Sequence, residues 1–116
     1  MANAVPLYVN QVATGDSAIA ADLVPNRNDG GAIVVSNVGT GSPTFTFTIQ
    51  GSVDGTNYFN IPYALVATPS TFVVSAITTT TTATNTYLLQ ANQPWNFLKL
   101  NISALTTETV TATAYL

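Results

Sequence analysis

Positions 52 to 59 read SVDGTNYF, and Asp54 within them is the acidic residue with the most binding-capable neighbours. A carboxylate beside Gly55, Thr56, Asn57 and Tyr58 could hold a cation or a sugar hydroxyl, yet an Asp-Gly pair between two strand-like runs is also a strong hairpin signal. Trp95, Tyr58, Phe59 and Phe97 could add an aromatic platform for a sugar ring, although Pro94-Trp95 opening a strand equally suits a plug at the end of a core. Catalysis is poorly supplied. The chain has no His and no Cys, and its five carboxylates, Asp16, Asp22, Asp29, Asp54 and Glu108, form no paired motif. The expectation is a protein that is not an enzyme and holds no cofactor or metal, with Asp54, Tyr58, Phe59, Trp95 and Phe97 as candidate ligand or interface contacts.

Two other acidic stretches read as structure. PNRNDGG (25 to 31) offers oxygen donors at Asn26, Asn28 and Asp29, but an EF-hand loop counted from Asn26 would put Gly30 at its fifth position and Asn37 where the bidentate Glu belongs. A turn accounts for it. Asp16 and Asp22 have no evident partners and read as loop and strand-surface residues, and Lys99 with Phe97 reads as an outward strand pair.

Register decides how the Asp54 turn must close. A two-residue turn would set Ile49 opposite Asn60, whereas a three-residue loop sets Ile49 opposite Ile61, Phe47 opposite Tyr63 and Phe45 opposite Leu65. The second register puts apolar residues on one face, so it predicts a longer turn or a bulge at Gly51 to Asn57.

The elements that would carry these residues are strands throughout. TFTFTIQ (44 to 50) alternates Phe45, Phe47 and Ile49 with Thr44, Thr46 and Thr48. WNFLKLNIS (95 to 103) sends Leu98, Leu100 and Ile102 inward, and TVTATAYL (109 to 116) sends Val110, Ala112, Ala114 and Leu116 inward. AIVVSNV (32 to 38) is apolar on both faces, as a strand covered on both sides would be. Further candidates are Val5 to Val9, Ile19 to Leu23, FVVSAI (72 to 77) and TYLLQ (86 to 90), separated by Gly, Pro and Asn turns such as NVGTGSP and ANQP. The run TTTTT (78 to 82) predicts a polar hairpin or two-sided polar strand. No segment has helical periodicity, so the fold class is all-β: one domain over residues 1–116, an antiparallel β-sandwich of about eight strands, with a jelly roll the expected topology.

Composition limits the partners. Charged residues are 6% of the chain, whereas 20 of its 116 residues are Thr and 11 are Asn; ordinary domains carry about 25% charged residues. Only Arg27 and Lys99 are cationic and the net charge is -3, so there is no basic patch for nucleic acid or an anionic membrane. The N-terminus MANAVPLYVN has neither a positive n-region nor a long apolar h-region, which predicts a chain made in the cytoplasm and used without Sec export. So little charge leaves strand edges unguarded, which predicts a subunit of an assembly.

Two segments together carry a resemblance. FTIQGSVDGTNYFNIP resembles the Gly-Ser-x-Asp-Gly-Thr-Asn-aromatic hairpin of small β-sandwich proteins of bacteriophage particles, and FLKLNISALTTETVTATAYL resembles the paired C-terminal strands of the same proteins. The first also looks like a hairpin of discoidin-type sugar-binding domains. The second usually has Gly in its turn, where this chain has Thr107 and Glu108. The resemblance implies a virion structural protein, similar to capsid decoration (cement) proteins: a homotrimer on the capsid surface whose partner is the major capsid protein. The alternative it leaves open is a carbohydrate-binding module of a tail, fibre or adhesin, and a self-assembling fibre subunit is a third.

Overall fold

The computed structural model describes residues 4–21 and 30–116, with the backbone alone at 41–43. Its spine is a pair of unusually long strands, β4 (Gly31–Ser52) and β9 (Phe97–Tyr115), running antiparallel from Ala32 opposite Tyr115 to Ser52 opposite Phe97. Strands usually stop after about five or six residues. These continue because both are interrupted at the same level. Thr40 to Pro43 on β4 face the single residue Thr107 on β9, between the pairs Gly39–Glu108 and Thr44–Thr106. Thr107 takes up a left-handed conformation there (φ 53), and its hydroxyl donates to the Thr40 carbonyl at 3.0 Å. The bulge bends both strands without breaking the ladder.

This corrects two expectations. NVGTGSP does not end a strand, and Thr107-Glu108 does not turn a hairpin; the predicted strands 32 to 38 and 44 to 50 fall in the two halves of β4, and 95 to 103 and 109 to 116 in the two halves of β9, which begins at Phe97 and ends at Tyr115. Turn-forming residues serve a bulge as well as a turn, so the local sequence does not distinguish the two.

The bend creates two wings. On one, β8 (Ala83–Leu89) flanks the first half of β4, β6 (Tyr63–Leu65) flanks β8, and β1 (Ala4–Gln11) flanks the second half of β9. On the other, β7 (Ile77–Thr79) and β5 (Phe59–Asn60) pair with the second half of β4, while β2 (Gly15–Asp16) and β3 (Ala20–Ala21) pair with the first half of β9. Every described pairing is antiparallel. The predicted all-β class is what the chain adopts, as one curled sheet of nine described strands in which β4 and β9 serve both wings. That topology refines the expected jelly roll, whose two sheets are separate.

The core lies between the wings. Phe45, Phe47, Ile49, Leu98, Leu100 and Ile102 enter from one side at 0–1% exposure, in the predicted inward register. Ile33, Val35, Val110, Ala112 and Ala114 meet them from the other at 0–2%. The Phe47 ring meets Tyr87 of β8 edge-on at 5.5 Å between centroids, joining the wings. On β1 the pattern slips: a register shift between Pro6 and Tyr8 sends both Leu7 and Tyr8 inward and leaves Val9 68% exposed. Ile19 is also exposed, with Ala20 buried in its place. Asp22, Leu23 and most of PNRNDGG lie outside the described residues. The predicted strand 72 to 77 is reduced to a bridge from Val73 to Tyr63, and Ile77 opens β7.

Candidate functional site

The five candidate residues gather where β4 ends and β9 begins. Gln50 pairs with Asn60 and Gly51 with Phe59, and the Ile61 amide donates to the Ile49 carbonyl at 3.0 Å. The predicted Ile49–Ile61 register therefore holds, but around a longer loop than three residues. It also ends at once. Pro62 has no N–H to continue the ladder, so Phe47 pairs with Ile77 instead of Tyr63, and Phe45 with Thr79 instead of Leu65.

Within the loop Asp54 is the organiser. Its Oδ1 accepts from the amides of Thr56 and Asn57 at 2.8 Å and from the Ser52 hydroxyl at 3.0 Å, and its Oδ2 accepts from Asn57 Nδ2 at 2.8 Å. The two backbone donors, then the Asn57 and Ser52 side chains, hold the carboxyl far below the usual range. The Ser52 hydroxyl in turn accepts from the Gly55 amide at 2.9 Å. Gly55 is left-handed (φ 80), and a Cβ there would stand 3.1 Å from the Phe97 ring. Asp54 thus spends its charge on its own loop, as an Asx turn does.

Phe97 lies against Gly55, beside Asp54, and Trp95 lies against Gly51 at the end of β4. It packs against the core at Gly51, where a Cβ would lie 2.9 Å from its ring, and touches the same space as Ile61. Its indole Nε1 is buried without a hydrogen-bond partner among the described residues. Asn96 ties the approach to β9 with its amide on the Ser52 carbonyl (2.9 Å) and its Nδ2 on the Val53 carbonyl (3.0 Å). Phe59 is 60% exposed.

Tyr58 meets Lys99, whose ammonium lies 4.3 Å from the ring centroid. The same ammonium bonds Asp16 Oδ2 at 2.9 Å, and Asn101 Nδ2 bonds Asp16 Oδ1 at 2.8 Å. Asp16, expected to lack partners, has two, and Lys99 foremost lowers its carboxyl below the ordinary range. These partners sit more than eighty residues away in sequence, where local reading does not reach.

A second polar centre escaped sequence reading. At the bend, Asn37 (1% exposed) donates to Glu108 Oε1 at 2.6 Å and to the Thr81 carbonyl at 2.8 Å. Glu108 is 6% exposed, and its Oε2 is buried with no partner among the described residues. A signal existed: Asn37 is in step with Ile33 and Val35, and Glu108 with Val110 and Ala112. The threonine run crosses this bend, with Thr78 Oγ1 on Thr46 Oγ1 (3.0 Å) and the Thr82 hydroxyl accepting from the Gly39 amide (3.1 Å). Among the described residues no three metal-ligating side chains gather, and no helix is long and apolar enough to cross a membrane.

No protein-family model matches the chain, and no curated protein matches it in sequence. Its structure is similar to the crystal structure of the SPBc2 prophage-derived protein YomS, with a TM-score of 0.67 over 99% of this chain and 92% of that one. The fold is shared. At 7% identity the side chains are not, so the likeness is one of backbone course.

Proposed function

We propose that this chain is a structural protein of a bacteriophage particle, a decoration protein that sits as a homotrimer on the outside of the capsid and reinforces junctions between units of the major capsid protein. The observation that carries the reading is the end-to-end similarity of its fold to a prophage-derived protein, added to the SVDGTNYF hairpin motif that resembles those of virion proteins. The surface agrees. Asp54 and Lys99 are engaged in internal contacts, and a chain with only 6% charged residues has little charge to oppose being covered by neighbours.

Such a protein works by buried area. A standard interface covers about 1,600 Å² in total, and a ligand bound only to the assembled shell at a hundred times its dissociation constant stabilises that shell by about 2.7 kcal/mol per site. The test is to purify particles on a density gradient and count this chain against the major shell protein by quantitative mass spectrometry. Hundreds of copies at a fixed ratio are expected; absence from particles would refute the reading.

One observation favours a second reading, a carbohydrate module of a tail or fibre: the Phe59 ring is 60% exposed beside the Asp54 loop. Of the residues that reading uses, Trp95 packs against the core, Asp54 bonds its own loop and Tyr58 faces Lys99. A glycan array without hits would remove it.

A further inference from the structure

An Asp-Gly pair is the peptide link most open to rearrangement. The backbone nitrogen after Asp can attack the side-chain carbonyl carbon: the N–Cγ bond forms, the Cγ–O bond breaks, and the amide proton leaves with the departing oxygen as water, closing a succinimide ring. Water then opens the ring at either carbonyl, and one of the two openings routes the main chain through the Asp side chain as isoaspartate. Glycine in second place makes the attack easiest, because no Cβ hinders its nitrogen. The chain has two such pairs, Asp29-Gly30 and Asp54-Gly55. Asp29 lies outside the described residues, whereas the geometry of the second pair is defined.

The attack needs a free nitrogen, a protonated carboxyl and a side chain that can turn toward that nitrogen. The loop opposes all of these. The Gly55 amide donates to the Ser52 hydroxyl at 2.9 Å, and the same hydroxyl donates to Asp54 Oδ1 at 3.0 Å, so one oxygen bonds both groups that would have to react. The amides of Thr56 and Asn57 on Oδ1, and Asn57 Nδ2 on Oδ2, fix the carboxyl from its other sides. These bonds also keep it ionised, and water does not leave from that form. Ser52 is itself immobile: it is fully buried, paired with Phe97 across the sheet, and its carbonyl accepts from the Asn96 amide at 2.9 Å.

We infer that Asp54-Gly55 is a latent isoaspartate site, and that Ser52 keeps it closed in the folded chain by holding the Gly55 nitrogen away from the Asp54 side-chain carbon. Rearrangement there would be damaging. It would lengthen the main chain by one carbon and take from Thr56 and Asn57 the acceptor that shapes the loop, next to the Gly51–Phe59 pair that ends β4.

The test is prolonged incubation of the full chain at about pH 5, close enough to the ordinary carboxylate value of about 4 to keep some unfolded Asp protonated. Isoaspartate at position 54 is read by peptide mapping; cleavage after Phe47 and Tyr58 separates it from position 29. Folded wild type should rearrange at least about tenfold more slowly than the same chain unfolded in urea, and Ser52→Ala, with its fold verified by circular dichroism, should be faster than folded wild type by on the order of tenfold, the factor that one hydrogen bond supplies. Asn57→Ala is the control for general loosening. It removes the Oδ2 contact but leaves Gly55 bonded to Ser52, so its acceleration should be much smaller.

A folded wild type as fast as the unfolded chain, a folded Ser52→Ala as slow as wild type, or an Asn57→Ala as fast as Ser52→Ala would each overturn the inference. Should Ser52→Ala not fold, Ser52→Cys takes its place: it fills the same buried site with a thiol that bonds only weakly, and the same outcomes decide.

Discussion

Asp54 and Glu108 are two carboxyl groups that the same chain treats in opposite ways. Asp54 is on the surface, and every described partner lies within three residues of it. Glu108 is nearly buried, its one described partner is 71 residues away, and its second oxygen has none. The first arrangement can form before the sheet does. The second exists only once β4 and β9 have paired and bent, so it reports on the global fold and the Asp54 loop reports on local order. Residues such as Asn37 that serve a distant group are therefore the more costly to lose.

The sharpest break in that comparison is Asn37→Ala. It strips the donor from Glu108 Oε1 and from the Thr81 carbonyl, and leaving buried acceptors unsatisfied should destabilise the protein by about 2–4 kcal/mol in urea unfolding. The joint change Asn37→Leu with Glu108→Leu removes both ends of the contact and should cost far less than the sum of the single changes. If Asn37→Ala proves neutral, the bend is held by its backbone bulge alone.

Gly55→Ala tests the local centre and should cost about 1–2 kcal/mol through the left-handed backbone, with the Phe97 ring 3.1 Å from the new methyl adding to it. The damage should stay local: hydrogen exchange should quicken in residues 52–58 while the Phe45–Ile49 amides keep their protection. Acid should act on the same loop. Because the folded Asp54 carboxyl titrates below its unfolded value of 3.8, the folded state binds fewer protons; its contribution is complete above that value and is lost as pH falls from about 4 toward the folded value. Asp54→Asn should remove this part of the acid sensitivity. Urea midpoints of the variant and wild type between pH 6 and pH 2.5, a chosen range bracketing the ordinary carboxylate values of about 4, should converge as pH falls.

The same contrast explains what was legible. Inward faces such as Phe45, Phe47 and Ile49, or Leu98, Leu100 and Ile102, were readable because a period of two is set residue by residue. The Ile49–Ile61 register was readable because burial selects it. Continuity of β4 through Gly39 to Thr44 was not, since a bulge opposite Thr107 depends on a partner 60 to 70 residues away. The candidate site was half legible: the Asp54 turn follows from its own residues, but the placement of Trp95 against Gly51 and of Tyr58 over Lys99 depends on which strands become neighbours. Asp16 looked solitary for the same reason.

Lys99 gives the smallest and most discriminating effect. Its ammonium joins β9 to β2 through Asp16 and to the loop through Tyr58, so it links the local centre to the sheet. Asp16 is 53% exposed, and ion pairs of this kind contribute about 0–1 kcal/mol. Lys99→Met keeps the aliphatic stem that covers the sheet while removing both polar contacts. Its stability loss should fall within that range and shrink further in 0.5 M salt, where the Debye length drops to about 4 Å. A loss above 2 kcal/mol would mean that β2 and the Tyr58 segment are held jointly by this one side chain, and that the Asp54 loop is not the independent unit its hydrogen bonds describe.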